Sequence, residues 1–313
     1  MKNKIFELIE KSNSILLLTH KDPDGDAIGS VLAFYHFLTS INKAVDMILS
    51  NIPKTFNFLP SINKVVDRTD KDYDLCIVLD CASEERIFQN ENLLNRCRQI
   101  VVIDHHISNS KYGNINLVEG NISSCCQIVY YLLKEWNIPI SMEIGKSIIS
   151  GVLTDTNGFS NNNVDADTYR LAAELVDLGI NVHDIYNKVI LIRSIPQYQL
   201  MKIAMDRLEF FYDGKIAYTY ILNDDFEKVE ASVGDHEGIV NIGRNIDGVE
   251  VSILIRENNG WSISLRSAGN VDVCKIALTL GGAGHFMAAG AKIEGTLEEV
   301  KNKVIEEIKK VIL

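Results

Sequence analysis

No two of the six cysteines (76, 81, 97, 125, 126 and 274) stand in the C-x-x-C spacing of a zinc or thiol-redox motif. Most lie within apolar stretches, which reads as buried free thiols in a reducing cytoplasm and not as a disulfide framework. Cys125 and Cys126 are neighbours on a helix-forming stretch and point in different directions, so they do not bridge each other. Long apolar runs are also missing. The run ILLL at 15–18 is far too short to cross a bilayer, and the opening MKNKIFELIEK has acids where a signal peptide needs an apolar core. Basic runs are absent as well. With 31 Lys and Arg against 42 Asp and Glu, the net charge is −11, and there is no stripe of cations to displace counterions along a polyanion. These absences argue against a membrane partner and against long duplex nucleic acid. A short anionic substrate remains.

At 313 residues the chain can bury two cores. Its first half alternates short apolar runs with amphipathic stretches. Strands are expected at 14–19, 44–49, 75–80 and 100–104, and helices at 27–41, 123–136, 142–153 and 166–179. That alternation predicts an α/β fold with a mostly parallel sheet covered by helices on both faces. Residues 181–211 read as helix almost throughout, interrupted near Pro196. From Lys215 the pattern changes: KIAYTYIL alternates like a strand, and VEVSILIRE and WSISLRS flank an Asn-Asn-Gly turn as a hairpin. A helix at 271–280, the loop GGAGH, the strand-like AAGAKIEG and a last helix from 296 complete a smaller α/β domain. The expected division is 1–185, a helical connector at 186–212, and 213–313.

Four stretches carry the chemistry: THKDPDGDA (19–27), VLDCA (78–82), VIDHH (102–106) and LTDTNGF (153–159). Each follows an apolar run and is expected where a buried strand ends, and the carboxyl ends of parallel strands are where open α/β sheets build their sites. Taken singly, each has a plainer reading. Asp24-Gly25-Asp26 is equally a turn, with Asp26 capping a helix that begins at Ala27, and a lone Asp80 is a loop acid. Asp155, after SIISGVLTD, is equally an acid at a helix C-terminus, where the macrodipole disfavours it without a cation. Two consecutive histidines after IVVID are harder to dismiss, because their side chains cannot share one direction. Asp104 can fix the tautomer of a neighbouring ring. Together, His20, Asp24, Asp26, Asp80, His105 and Asp155 offer nitrogen and carboxylate donors for two hard cations, Mn²⁺ before Mg²⁺. Such a pair, about 3.5–4 Å apart, can share a hydroxide for in-line attack at phosphorus. Asp80 is the carboxylate expected to bridge.

With Asp104-His105-His106 in place, the sequence resembles the DHH-family phosphoesterases, and the resemblance spans nearly the whole chain. RSAGNVDVCKIALTLGGAGHFMAAG resembles the DHH-associated domain of the nanoRNase/pAp-phosphatase branch. The resemblance implies an N-terminal metal-binding catalytic domain and a C-terminal substrate-binding domain, with the active site in the cleft between them. It implies one Mn²⁺ held by His20, Asp24 and Asp80, and a second by Asp26, Asp80, His105 and Asp155. His106 would face the scissile phosphate as hydrogen-bond donor or general acid, with catalytic roles falling to His106 and Asp80. Arg266 and His285, with the backbone of Gly281, Gly282 and Gly284, would bind a substrate phosphate. The loop departs from the family's four glycines at Ala283, and DTNGF stands where DTG is commoner. Neither change removes a ligand, and Asn157 can take a positive φ.

GGAGH is neither a P-loop nor a dinucleotide motif: it lacks GK[ST] and the GxGxxG spacing, and it follows a helix instead of a strand. It is in part a helix stop, with spare N–H groups that can form an anion nest. His36, His183 and His236 read as packing or capping residues, and Trp136 and Trp261 as packing residues. Arg244 is a weaker candidate for the cleft. The resulting expectation is a cytoplasmic, Mn²⁺-dependent phosphoesterase acting on very short oligoribonucleotides and on 3′-phosphoadenosine 5′-phosphate. The same chemistry could act on linear dinucleotides from cyclic-dinucleotide turnover, on single-stranded DNA or on pyrophosphate. A non-catalytic nucleotide sensor is the rival of a different class. The family resemblance leaves room for a homodimer, and no interface is legible in the sequence.

Overall fold

Apolar residues alternate along the central strands of the first half, so each strand serves two cores. Ile15, Leu17, Leu75, Ile77, Leu79, Val101 and Ile103 face one side. Leu16, Leu18, Cys76, Val78 and Val102 face the other. Such a pattern is stable only when both faces are covered. The computed structural model describes residues 1–87 and 93–312, which divide into Met1–Ile192 and Arg193–Leu313.

In the first unit, β1 (Ser14–Leu18), β2 (Ala44–Ile48), β3 (Leu75–Leu79), β4 (Ile100–Asp104) and β5 (Ile115–Val118) form one sheet in the order β2-β1-β3-β4-β5. Every pairing is parallel. Helices Lys2–Lys11, Gly25–Ser40, Cys125–Glu135 and Met142–Asp155 cover one face, where Trp136 packs with Phe6, Phe34 and Phe37. Among the described residues, the other face is closed by Ile87, Leu93 and Leu94 in or beside single-turn 3₁₀ helices. Four strands lie where the sequence predicts them; β5 was not anticipated. Helix Gly25–Ser40 begins two residues early because Asp24, not Asp26, is its cap, accepting from the N–H groups of Asp26 and Ala27.

Residues 186–212 do not form one continuous connector. A short helix and a π turn end at Leu191, and a new helix, Ile195–Asp206, starts with Ser194 as its cap and Pro196 in its first turn. Leu200 and Ala204 of that helix are buried with Ile221, Ile239 and Leu254, so it belongs to the second unit's core. That unit is a six-stranded sheet of β6 (Glu209–Phe211), β7 (Ile216–Ile221), β8 (Val251–Glu257), β9 (Trp261–Ser267), β10 (Ala283–Gly284) and β11 (Ala288–Ile293). The order is β10-β11-β9-β8-β7-β6, with only β7 and β8 parallel. The expected hairpin joins β8 to β9 through Asn258–Gly260, with Asn259 and Gly260 at positive φ. Helices Val273–Thr279 and Leu297–Ile312 pack against this sheet. No helix among the described residues is long and apolar enough to cross a membrane.

Candidate metal centre

In the first sheet, β2 leaves β1 on one side and β3 returns on the other. The strand order therefore reverses at β1, and the carboxyl ends of β1 and β3 frame the crevice where such sheets bind ligands. His20 follows β1, Asp80 follows β3, and Asp104, His105 and His106 end or follow β4. Asp155 departs from the strand-end expectation, because it is the last residue of helix Met142–Asp155.

Glycine brings that helix into the site. A Cβ on Gly25 would lie 2.4 Å from Thr154 Oγ1, one on Gly29 2.5 Å from Ser147 O, and one on Gly151 2.3 Å from Cys126 Sγ. Helices Gly25–Ser40, Cys125–Glu135 and Met142–Asp155 can therefore approach backbone to backbone, which sets Asp26 beside Asp155.

Donor atoms of His20, Asp24 and Asp80 lie within 4.8 Å of one another, and the same holds for Asp26, His105 and Asp155 and for Asp80, Asp104 and His106. Asp80 joins these groups. Its Oδ2 is 3.9 Å from His20 Nε2, while Oδ1 is 3.5 Å from His105 Nε2 and 3.4 Å from His106 Nδ1. His105 Nε2 is also 3.8 Å from Asp26 Oδ2 and 3.7 Å from Asp155 Oδ2.

Neighbouring groups orient each ligand. His20 Nδ1 lies 2.8 Å from Lys21 O and His105 Nδ1 3.2 Å from Ile122 O. Each Nδ1–H donates to a carbonyl, so both Nε2 lone pairs face the carboxylates. Asp24 uses Oδ1 for its cap, leaving Oδ2 for another partner; the capping and metal-binding readings are compatible. Asp26 accepts the N–H of Cys125 at 2.6 Å and of Cys126 at 2.9 Å. It thus sits on the positive end of helix Cys125–Glu135.

Asp80 is 2% exposed, stands at φ +54°, and its Oδ1 is buried without a hydrogen bond. Burial, and then the charges of Asp26, Asp24, Asp104 and Asp155, push its carboxyl well above the usual range. Burial likewise raises Asp26 and lowers His20. For His105 burial acts downward, but Asp155, Asp26 and Asp104 outweigh it and the ring is raised. Asp104 behaves oppositely to Asp80. Burial would raise it, yet the hydrogen bond from His106 and the charge of that ring bring it down to about 2. A buried carboxylate oxygen with no donor is costly, and a cation is the partner that its surroundings lack. The donor set, mixed imidazole and carboxylate with no thiolate, suits Mn²⁺ or Mg²⁺. The cysteines here are buried, and burial raises the thiols of Cys125 and Cys126.

In the second unit, Arg266 lies on β9 opposite Ala288 of β11, and its Nη1 donates to Leu265 O at 3.0 Å. His285 precedes the two-residue turn to Ala288. The glycine loop corrects one expectation. The Gly281 and Gly282 N–H groups donate to Leu278 O and Ala277 O, and the His285 N–H to Ala288 O, so these three are not open to an anion. The steric reason for glycine is strong: a Cβ on Gly282 would lie 2.0 Å from Gly290 O. Gly284 pairs with Ala289, and Ala283 is accommodated in β10 without a positive φ. Asn157 stands at φ +48°. His36 lies 3.3 Å from Pro60 O, on the boundary of the core.

One residue that sequence reasoning passed over is Asn109, whose Nδ2 donates to Asp104 Oδ2 at 2.6 Å and to Cys81 O at 3.1 Å. An asparagine five residues beyond a strand end reads as an ordinary loop residue, and nothing in the sequence marked it.

Residues 14–154 match the N-terminal domain of the DHH family, and residues 213–313 match the DHHA1 domain. The chain is 29% identical over 301 residues to the bifunctional oligoribonuclease and PAP phosphatase NrnA of Thermus thermophilus, covering 94% of this chain and 89% of that one. The protein of the same description from Bacillus subtilis is 25% identical over 297 residues, covering 94% and 93%. Among solved structures, an exopolyphosphatase-related protein from Bacteroides fragilis superposes with a TM-score of 0.90 at 30% identity, over 99% of this chain and 95% of that one. RecJ of Thermus thermophilus, solved with Mn²⁺, shares the fold at a TM-score of 0.56 and 13% identity, over 99% of this chain and 54% of that one.

Proposed function

The chain belongs to the DHH family of phosphoesterases, in its oligoribonuclease and PAP phosphatase branch, and we propose that it is a two-metal hydrolase of short nucleotide substrates. Its substrates are very short oligoribonucleotides, degraded to 5′-mononucleotides, and 3′-phosphoadenosine 5′-phosphate, converted to AMP. Both reactions break a bond between phosphorus and O3′, so one arrangement of groups serves both.

The observation that carries this reading is Asp80. Its carboxylate lies between His20 and Asp24 on one side and the Asp26, His105 and Asp155 group on the other, with a buried oxygen that accepts no hydrogen bond. His20, Asp24 and Asp80 would hold one Mn²⁺, and Asp26, Asp80, His105 and Asp155 the second. Two such cations supply positive charge opposite the phosphoryl oxygens and make water a nucleophile near neutral pH. His106 has its Nδ1 2.8 Å from Asp104 Oδ1. With that proton held, Nε2 is the atom presented to the substrate, as hydrogen-bond donor to the phosphate or general acid toward the leaving oxygen.

Arg266 and His285 are the groups proposed to bind a second phosphate of the substrate. Because the Gly281 and Gly282 N–H groups are committed to the helix end, these side chains carry the recognition and the glycines provide close packing. Binding a remote phosphate is useful where it helps to position the scissile one. The test is the metal itself. Chelator-treated protein should bind two Mn²⁺ per chain and recover hydrolysis only as the second ion binds. A stoichiometry of one, or full activity in excess chelator, would refute the two-metal reading.

A further inference from the structure

We propose that Asn109 is a positioning residue that holds His106 on Asp104 and away from Asp80, by fixing the Asp104 carboxylate through its second oxygen. The inference rests on the proposed role of His106. The two protons of the Asn109 amide are divided between the loop after β3 and the loop after β4. One goes to Cys81 O at 3.1 Å, adjacent to Asp80, and the other to Asp104 Oδ2 at 2.6 Å. The opposite oxygen of Asp104 accepts the His105 N–H at 2.9 Å and faces His106 Nδ1 at 2.8 Å. Asn109 Oδ1 is occupied too, accepting the Lys111 N–H at 2.7 Å, so the amide cannot flip without losing bonds at both ends.

The linkage has a direct geometric consequence. His106 Nδ1 is 3.4 Å from Asp80 Oδ1 but 2.8 Å from Asp104 Oδ1, so two buried carboxylates compete for one ring nitrogen. By holding Asp104 through its other oxygen, Asn109 keeps the ring on Asp104 and leaves Asp80 Oδ1 open for metal. Without the amide, Asp104 can rotate about χ2, and His106 can turn to Asp80. Tyr112 Oη and the Ser110 N–H also bond this loop pair, to Cys81 O at 3.1 Å and Ala82 O at 2.9 Å. The loops therefore stay joined in an Asn109 variant, and the loss is confined to Asp104 and His106.

The experiment uses Asn109→Asp, which keeps the acceptor for Lys111 and loses both donors, and Asn109→Ala, each alone and combined with His106→Ala. In Mg²⁺-loaded protein, the ring ¹⁵N signals of His106 should report a protonated Nδ1 bonded to Asp104 in the wild type and a mixed or shifted Nδ1 state in both variants. With Mn²⁺ and a ribodinucleotide, kcat should fall about 10–100-fold, with KM changed less than about twofold. In the His106→Ala background the same substitutions should cost less than about twofold, because the group they position is gone. An equal loss in both backgrounds, or unchanged ring signals in both variants, would overturn the proposal. If the wild type hydrolyses no phosphoester, the proposed function fails, and the ring signals alone decide whether Asn109 holds the His106 ring on Asp104.

Discussion

Gly151→Ala should damage the metal site through packing alone, although residue 151 offers no ligand. The new methyl carbon would stand 2.3 Å from Cys126 Sγ, 2.8 Å from Asp26 Oδ1 and 3.0 Å from Asp26 Cα. Carbon and its neighbours rest near about 3.5–4.0 Å, so helices Met142–Asp155 and Gly25–Ser40 must separate by the order of an ångström. Alanine gains about 1 kcal/mol over glycine inside a helix. Overpacking a close contact costs about 1–3 kcal/mol, occasionally more. The net expectation is a destabilisation of up to about 2 kcal/mol, or up to roughly 8 °C in Tm for a unit of this size. The larger effect should be on Mn²⁺, because Asp26 moves away from His105 and Asp155. Affinity should fall about 10–100-fold, as it does when the groups that orient ligands are disturbed. Thermal unfolding with and without Mn²⁺, together with a Mn²⁺ titration, measures both. A variant as stable as the wild type and with unchanged Mn²⁺ affinity would refute the claim that glycine contacts position Asp26.

Asp80→Ala should abolish turnover and leave the fold largely intact by circular dichroism; full activity would remove Asp80 as the shared ligand. In metal-free protein the folded-state pKa of Asp80 lies above its unfolded value. The folded state therefore holds that proton more tightly, and stability is greatest below the unfolded pKa and falls as pH rises toward the folded one. Metal-free Asp80→Asn should consequently be more stable than the wild type at about pH 7–8, with the advantage shrinking toward about pH 4; a constant difference across that range would contradict the assignment. Arg266→Ala should raise KM for substrates carrying a remote phosphate far more than for a minimal phosphodiester, and equal effects on both would dismiss its role as a phosphate clamp.

Strand ends were legible in the sequence because buried parallel strands are apolar runs, and the ligands follow those runs directly. LCIVL before Asp80 and IVVI before Asp104 left little choice of placement. INLV at 115–118 was missed because it is a short edge strand with only Leu117 buried. Asp155 was read with the strand ends because its preceding run is equally apolar, whereas the helix presents it from another direction. The competition between capping and ligation at Asp24 and Asp26 was undecidable from residue types. In the fold one carboxylate oxygen caps and the other remains free, and the second acid rests on a helix 99 residues away in sequence. The spare N–H groups expected in GGAGH are taken up locally: stopping the helix consumes those of Gly281 and Gly282, and the turn to Ala288 consumes that of His285. Asn109 carried no signal because its partners, Cys81 O and Asp104, meet only when β3 and β4 pair.

The measurement that tests the central claim most directly is Mn²⁺-dependent release of mononucleotide and phosphate from four substrates in parallel: a ribodinucleotide, 3′-phosphoadenosine 5′-phosphate, pyrophosphate and a 20-residue single-stranded DNA. The account expects turnover of the first two to exceed that of the others and to vanish with chelator. Preference for pyrophosphate or the long DNA, or turnover of none of the four, would contradict it.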